Sequence, residues 1–157
     1  MKLLVMSDSH GYTEKMRTII NDNRDAECII FLGDGEHDWD DCMADIPGMN
    51  ARRQIAVCGN CDPCSFLPVT SFDNIGDHKF YITHGFRQNV KITLDSIYMD
   101  ALKNERDVVL FGHTHRPFYE EYNGVHLFNP GAVMNGRYGV INIDANGDLS
   151  FEHYELA

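Results

Sequence analysis

Short segments rich in apolar residues alternate with polar loops along the first 111 positions of this 157-residue chain. Leu3 to Met6, Cys28 to Leu32, Gln54 to Val57, Lys79 to Ile82 and Val108 to Phe111 are the clearest of them. Segments this short, closed by glycine or polar residues, predict buried strands. Met16, Ile19 and Ile20 stand at helical spacing and predict a helix from Thr13 to about Asn23. Leu94, Ile97, Tyr98, Ala101 and Leu102 share one helical face and predict a second over 93–104. The stretch 36–50 is polar and broken at Pro47-Gly48, so it predicts a short helix and loops. Asp62 to Phe66 reads as a loop. Beyond it the pattern changes. Phe118 to Tyr122 and Val125 to Phe128 flank Asn123-Gly124, a strong hairpin signal. Tyr138 to Ile143 and Leu149 to Tyr154 flank a second turn at Asn146-Gly147. Strands alternating with helices, followed by antiparallel hairpins, indicate a layered α/β fold with mixed sheets. No repeat or linker interrupts residues 1–157, which are long enough to form one domain with its own core.

Composition narrows the partners. Hydrophobic residues make up 43% of the chain, as in globular proteins. There are 24 acidic and 13 Lys or Arg residues, a formal charge of −11. That balance argues against non-specific nucleic-acid binding, which needs a basic surface. It also makes an anionic substrate awkward unless metal ions reverse the local field. The apolar run after Met1-Lys2 is too short for a signal-peptide core. No run approaches the ~18 apolar residues of a membrane span. The cysteine count of 5 is odd, so not all can pair. A reduced, cytoplasmic setting is the expectation.

The chemistry lies just past the strand ends. Asp8 and His10, Asp34, Asn60, His84, and His113 and His115 each follow one of the predicted strands. In open α/β sheets, sites form outside the carboxyl ends of strands, so these residues are placed to converge. On an extended segment His113 and His115 would project to the same side, as would Asp8 and His10. A carboxylate such as Asp34 can bridge two cations, and Asn60 offers a neutral carbonyl oxygen. Oxygen and imidazole donors together suit Mn²⁺, Fe, Co²⁺ or Zn²⁺. Two such ions about 3.5–4 Å apart can activate a water and clamp a phosphate ester.

Asp8-Ser9-His10, Gly33-Asp34, Gly59-Asn60, His84-Gly85 and Gly112-His113-Thr114-His115 resemble the signature of the calcineurin-type metallophosphoesterases. The resemblance runs from residue 3 to about 155. Asn60-Cys61-Asp62 and Asn129-Pro130-Gly131 are most similar to the small prokaryotic YfcE-type phosphodiesterases. The resemblance implies a four-layer αββα sandwich, two mixed β-sheets flanked by helices. It implies two divalent metal ions, with Mn²⁺ expected and Ni²⁺, Co²⁺, Fe²⁺ or Zn²⁺ compatible. It puts Asp8, His10 and His115 on one metal and Asn60, His84 and His113 on the other. Asp34 bridges, and a metal-bridging hydroxide attacks phosphorus. The assignment of His113 and His115 can be exchanged on sequence alone. Asp34, Asn60, Cys61 and His84 are the candidate catalytic residues, and a small phosphate ester is the expected substrate. A homodimer is compatible with the resemblance.

Many members of the family carry histidine where this chain has Cys61. That histidine is thought to protonate the leaving oxygen or bind phosphate. A thiol, with a reference pKa near ~8.5, is a poor substitute near neutrality. Activated diesters are therefore expected to be preferred over monoesters with poor leaving groups. Arg87 and Arg116 are candidates to hold phosphate oxygens. Cys58, Cys61 and Cys64 resemble part of an iron–sulfur run, but no fourth cysteine follows. No cysteine has an arginine six positions later, and no Gly-Lys pair marks a Walker-type loop. The competing expectation is a catalytically weak or inactive protein-interaction scaffold on the same fold, as in the retromer subunit VPS29.

Overall fold

The computed structural model describes all 157 residues. Five strands form the first sheet: β1 (Lys2–Met6), β2 (Cys28–Phe31), β3 (Arg53–Ala56), β9 (Arg137–Ile143) and β10 (Leu149–Glu155). Their order is β10-β9-β1-β2-β3. The second sheet contains β4 (Thr70–Ile75), β5 (His78–Thr83), β6 (Val108–Leu110), β7 (Pro117–Tyr122) and β8 (Val125–Pro130), in the order β4-β5-β6-β8-β7. Both sheets are mixed. β1, β2 and β3 run parallel, as do β5, β6 and β8, and the remaining pairings are antiparallel.

The side-chain alternation of each strand explains why the apolar runs are continuous. Leu3 and Val5 of β1 point into a core shared with Phe80, Ile82, Val108 and Leu110 of the facing sheet. Leu4 and Met6 of the same strand point the other way. There they meet Met16, Ile19 and Ile20 of α1 (Thr13–Asp22) and Trp39 and Cys42 of α2 (Glu36–Asp45). In the second sheet Tyr81, Val109 and Phe111 turn outward onto Ile97 and Ala101 of α3 (Asp95–Lys103). The layers are therefore α1 and α2, sheet, sheet, α3: the αββα sandwich. A strand buried on both faces needs apolar residues at every position rather than every second one. No helix is long and apolar enough to cross a membrane.

Two elements differ from the expectation. β4 carries no apolar signal, because it is an edge strand whose residues, except Ile75, are half-buried or exposed. Its pairing with β5 across Gly76-Asp77 makes a hairpin. α3 starts two residues later than predicted, because Phe86 to Ile92 form turns that carry the chain across the face of the site.

Candidate metal centre

The carboxyl ends of β1, β2, β3, β5 and β6 open onto one region, and each contributes a loop. The loops are tied by backbone bonds. Asp8 N–H donates to Gly33 O (2.9 Å), His10 N–H to Asp34 O (3.0 Å) and Gly112 N–H to His84 O (2.9 Å). Two motif glycines allow close approach. A Cβ on Gly59 would overlap Asp34 Oδ1, and one on Gly112 would overlap Ser7 Oγ.

Six of the seven predicted ligands converge. Asp8, His10 and His115 place ligand atoms within 4.8 Å of one another, and so do Asp34, His84 and His113. Asp34 joins a third such group with His10 and Cys61. His115 Nε2 lies 3.2 Å from Asp8 Oδ1 and 3.3 Å from His10 Nε2. His84 Nε2 lies 3.1 Å from Asp34 Oδ2 and 3.9 Å from Asp8 Oδ1. Asn60 is exposed and lines a cavity of about 310 Å³ with His84, Phe86 and Arg87.

The extended geometry expected for the His-x-His and Asp-x-His segments is not what forms. Asp8, His10, Asp34, His113 and His115 all have left-handed backbones, with φ of 56°, 45°, 63°, 69° and 62°. The left-handed turn sends His113 to the Asp34 group and His115 to the Asp8 group, rather than both to one side. Non-glycine residues in this region are uncommon and tend to mark functional sites.

Two buried polar atoms decide what the region can hold. Asp8 Oδ1 and His84 Nε2 are buried without a hydrogen-bond partner. The His84 ring is fixed by its other nitrogen, since Nδ1 donates to Leu32 O at 2.7 Å. That bond leaves Nε2 without a hydrogen-bond partner, facing Asp34 Oδ2 at 3.1 Å and Asp8 Oδ1 at 3.9 Å. Asp8 Oδ2 accepts from Ser7 Oγ (2.5 Å) and His113 N (3.1 Å), which leaves Oδ1 as its free atom. Bare lone pairs in a buried place are costly unless a cation meets them. Carboxylate oxygen and imidazole nitrogen are the donors a divalent cation takes.

The local charges agree. Burial alone would raise the Asp34 pKa, but the neighbouring His84 imidazole holds it at about 2. Burial acts likewise on Asp8 and is outweighed by His115, His84 and Ser7, so its pKa is also lowered. Burial works against the His84 cation, and Asp34 and Asp8 more than offset it, so its pKa is raised. Asp8 raises that of His115. Burial, with the charges of His84 and Lys91, lowers that of His113. Both carboxylates are thus ionised near neutrality, as ligands must be. Burial and Asp34 push the Cys61 thiol up.

Several supports carry little signal in the sequence. Asp62, a turn residue before Pro63, accepts from four backbone N–H groups: Asp34, Gly35, Glu36 and Gly59. Asp38 sits in a polar helix that reads as solvated, yet it is buried and binds Ser9 Oγ (2.6 Å), Gly11 N (2.9 Å) and Thr13 Oγ1 (2.5 Å). Asn129 donates to Gly112 O and Thr114 Oγ1, both at 3.0 Å, and so braces the His113–His115 turn. Only its place in Asn129-Pro130-Gly131 hinted at this. The outlying histidines have structural partners or face solvent. His78 bonds Asp107 and Gly147, His126 bonds Tyr119, His153 bonds Asn129 O, and His37 is exposed. No candidate ligand group contains two cysteines, so no iron–sulfur arrangement forms.

Residues 1–144 match the model of the calcineurin-like phosphoesterase superfamily domain. The chain belongs to this superfamily. It is 31% identical over 164 residues to the probable metallophosphoesterase YsnB of Bacillus subtilis, covering 100% of this chain and 92% of that protein. It is 31% identical over 172 residues to the phosphodiesterase MJ0936 of Methanocaldococcus jannaschii, covering 99% and 98%. Among solved structures, zinc-complexed Vps29 of Entamoeba histolytica superposes with a TM-score of 0.75 at 18% identity, over 99% of each chain. At that identity the likeness speaks for the fold alone.

Proposed function

We propose that residues 1–157 form one metal-dependent phosphoesterase domain whose preferred substrates are phosphodiesters. The observation that carries this reading is the pair of buried, unpartnered atoms, Asp8 Oδ1 and His84 Nε2, set among ionised carboxylates and further imidazoles. In this reading Asp8, His10 and His115 would hold one divalent cation, and Asn60, His84 and His113 would hold a second. Asp34, grouped with His10 on one side and with His84 and His113 on the other, would be shared between them. Mn²⁺ is the expected ion. Two cations bound there would acidify a water near neutral pH and screen the charge on a phosphate.

The chain's own residues set the geometry. Leu32 O fixes the His84 ring, Ser7 and His113 N fix Asp8, and Cys61 N fixes Asp34 through Oδ1 at 2.8 Å. Arg87 borders the cavity of about 310 Å³ with His84 and Asn60, where it can hold oxygens of the scissile phosphate. Metal analysis combined with hydrolysis of bis(p-nitrophenyl) phosphate under Mn²⁺ tests the proposal. Hydrolysis that requires the cation supports it. The Vps29 likeness keeps a second reading in view: tight metal binding without hydrolysis under any divalent ion supports an interaction scaffold.

Cys61 sets the expected leaving-group range. It lies in the group with His10 and Asp34, so its side chain borders the reacting region without offering an imidazole acid. Cys61→His is expected to raise turnover of esters with poor leaving groups by ~10²-fold relative to p-nitrophenyl esters, the low end of general-acid effects. The check is the dependence of kcat on leaving-group pKa. An unchanged slope counts against a role for this position in proton donation.

A further inference from the structure

The turn after β6 has two sides. His113 and His115 belong to the candidate metal centre, while Thr114 and Arg116 line a separate cavity of about 480 Å³. Lys91, Leu94, Phe111 and Phe118 are among its other walls, and no carboxylate lines it. In a chain with 24 acidic and 13 Lys or Arg residues, a cavity with two cations and no acid is a local reversal of sign. The opposite flank differs. A cavity of about 440 Å³ beside His10 has Glu36 and Asp40 in its wall, together with Asp38 and Asp62, whose oxygens are taken up by hydrogen bonds. The candidate centre thus sits between an acidic flank and a basic one.

A phosphodiester at the centre has two substituents, and these flanks treat them differently. An anionic substituent is repelled on the α2 side and attracted on the Lys91 side. We propose that the Lys91–Arg116 cavity is a subsite for a second phosphoryl group, so that the substrate is a phosphodiester bearing a further phosphate on one of its alcohol components. This rests on the phosphoesterase reading above. The parts suit the ligand. A guanidinium gives two parallel N–H donors to a phosphoryl group, and an ammonium adds a point charge. The Thr114 hydroxyl oxygen already accepts from Asn129 Nδ2 (3.0 Å) and Arg116 N (3.2 Å), so its hydrogen is free to donate outward. Leu94 and Phe118 are half-buried walls that would face the carbon skeleton between the two phosphates, over a floor made by buried Phe111. A volume of about 480 Å³ is that of a small-molecule site.

The test uses two probes that differ in one group: the p-nitrophenyl ester of thymidine 5′-phosphate, with and without a 3′-phosphate. With Mn²⁺-loaded protein, kcat/KM is expected to be at least ~10-fold higher for the probe carrying the 3′-phosphate, the scale of one charge-assisted hydrogen bond. In the Lys91→Met/Arg116→Met variant the ratio between the two probes falls to near one. Taking the ratio cancels any loss common to both. Calorimetry gives a second readout, since thymidine 3′,5′-bisphosphate should bind at least ~10-fold more tightly than thymidine 5′-phosphate, and the variant should close that gap. Equal handling of both probes by the unaltered protein overturns the subsite and leaves the phosphoesterase reading standing. Failure to hydrolyse these probes and bis(p-nitrophenyl) phosphate alike overturns both.

Discussion

Replacing Asp34 by asparagine is expected to lower phosphodiester hydrolysis by about 10²–10³-fold, the usual loss when one charge-stabilising group is removed from an active site. The fold should survive. Asp34 has a left-handed backbone, with φ 63°, which asparagine tolerates well. Its Oδ1 accepts from Cys61 N at 2.8 Å, and the amide oxygen of asparagine can keep that bond. The new NH₂ group then replaces Oδ2, which lies 3.1 Å from His84 Nε2 and 3.7 Å from His10 Nε2. A donor without charge would stand where, in the two-metal reading, both cations would need a lone pair. Rates on bis(p-nitrophenyl) phosphate, metal content and a thermal melt of the same preparation check the three parts together. Near-native turnover with two metals bound would show that Asp34 is not the bridge.

How legible the molecule was depends on what each residue touches. Leu3 to Met6 stood out because alternate residues enter two different cores. The edge strand β4 did not, because solvent takes one side of it and its polar side chains carry no periodicity of their own. In the first half of α2 only Trp39 marks a buried face, and the buried Asp38 beside it reads as a surface charge. The candidate ligands were legible because the strand ends fix where they must stand. Their orientation was not. A two-residue spacing means one thing on an extended segment and another on a left-handed turn, and His113 and His115 take the second. Lys91 lay further still from view. Its meaning depends on Arg116, which lies on a different segment, and only the folded chain places the two on one cavity.

Loading the protein with Mn²⁺ after chelation is expected to raise its melting temperature by roughly 5–10 °C. A ligand at 100 times its Kd adds about 2.7 kcal/mol to the folded state, and for a chain of this size each 1 kcal/mol moves the transition by about 2–4 °C. The physical source is visible in the geometry of the site. Asp8 Oδ1 and His84 Nε2 are buried with no partner. Five of the candidate ligands, Asp8, His10, Asp34, His113 and His115, sit in left-handed conformations that non-glycine residues seldom adopt. These costs are borne by the folded state alone, and a cation that binds only the folded state offsets them. The metal-free protein should still fold, because the three hydrophobic clusters are built without the site. Scanning calorimetry with and without Mn²⁺, Zn²⁺ and Mg²⁺ makes the comparison, and His84→Ala should shrink the shift by removing one buried donor. Because this readout does not depend on turnover, it separates the metal centre from the activity. A large shift without hydrolysis would leave the centre intact and point to a scaffold, whereas no shift with any divalent ion would remove the metal from the model altogether.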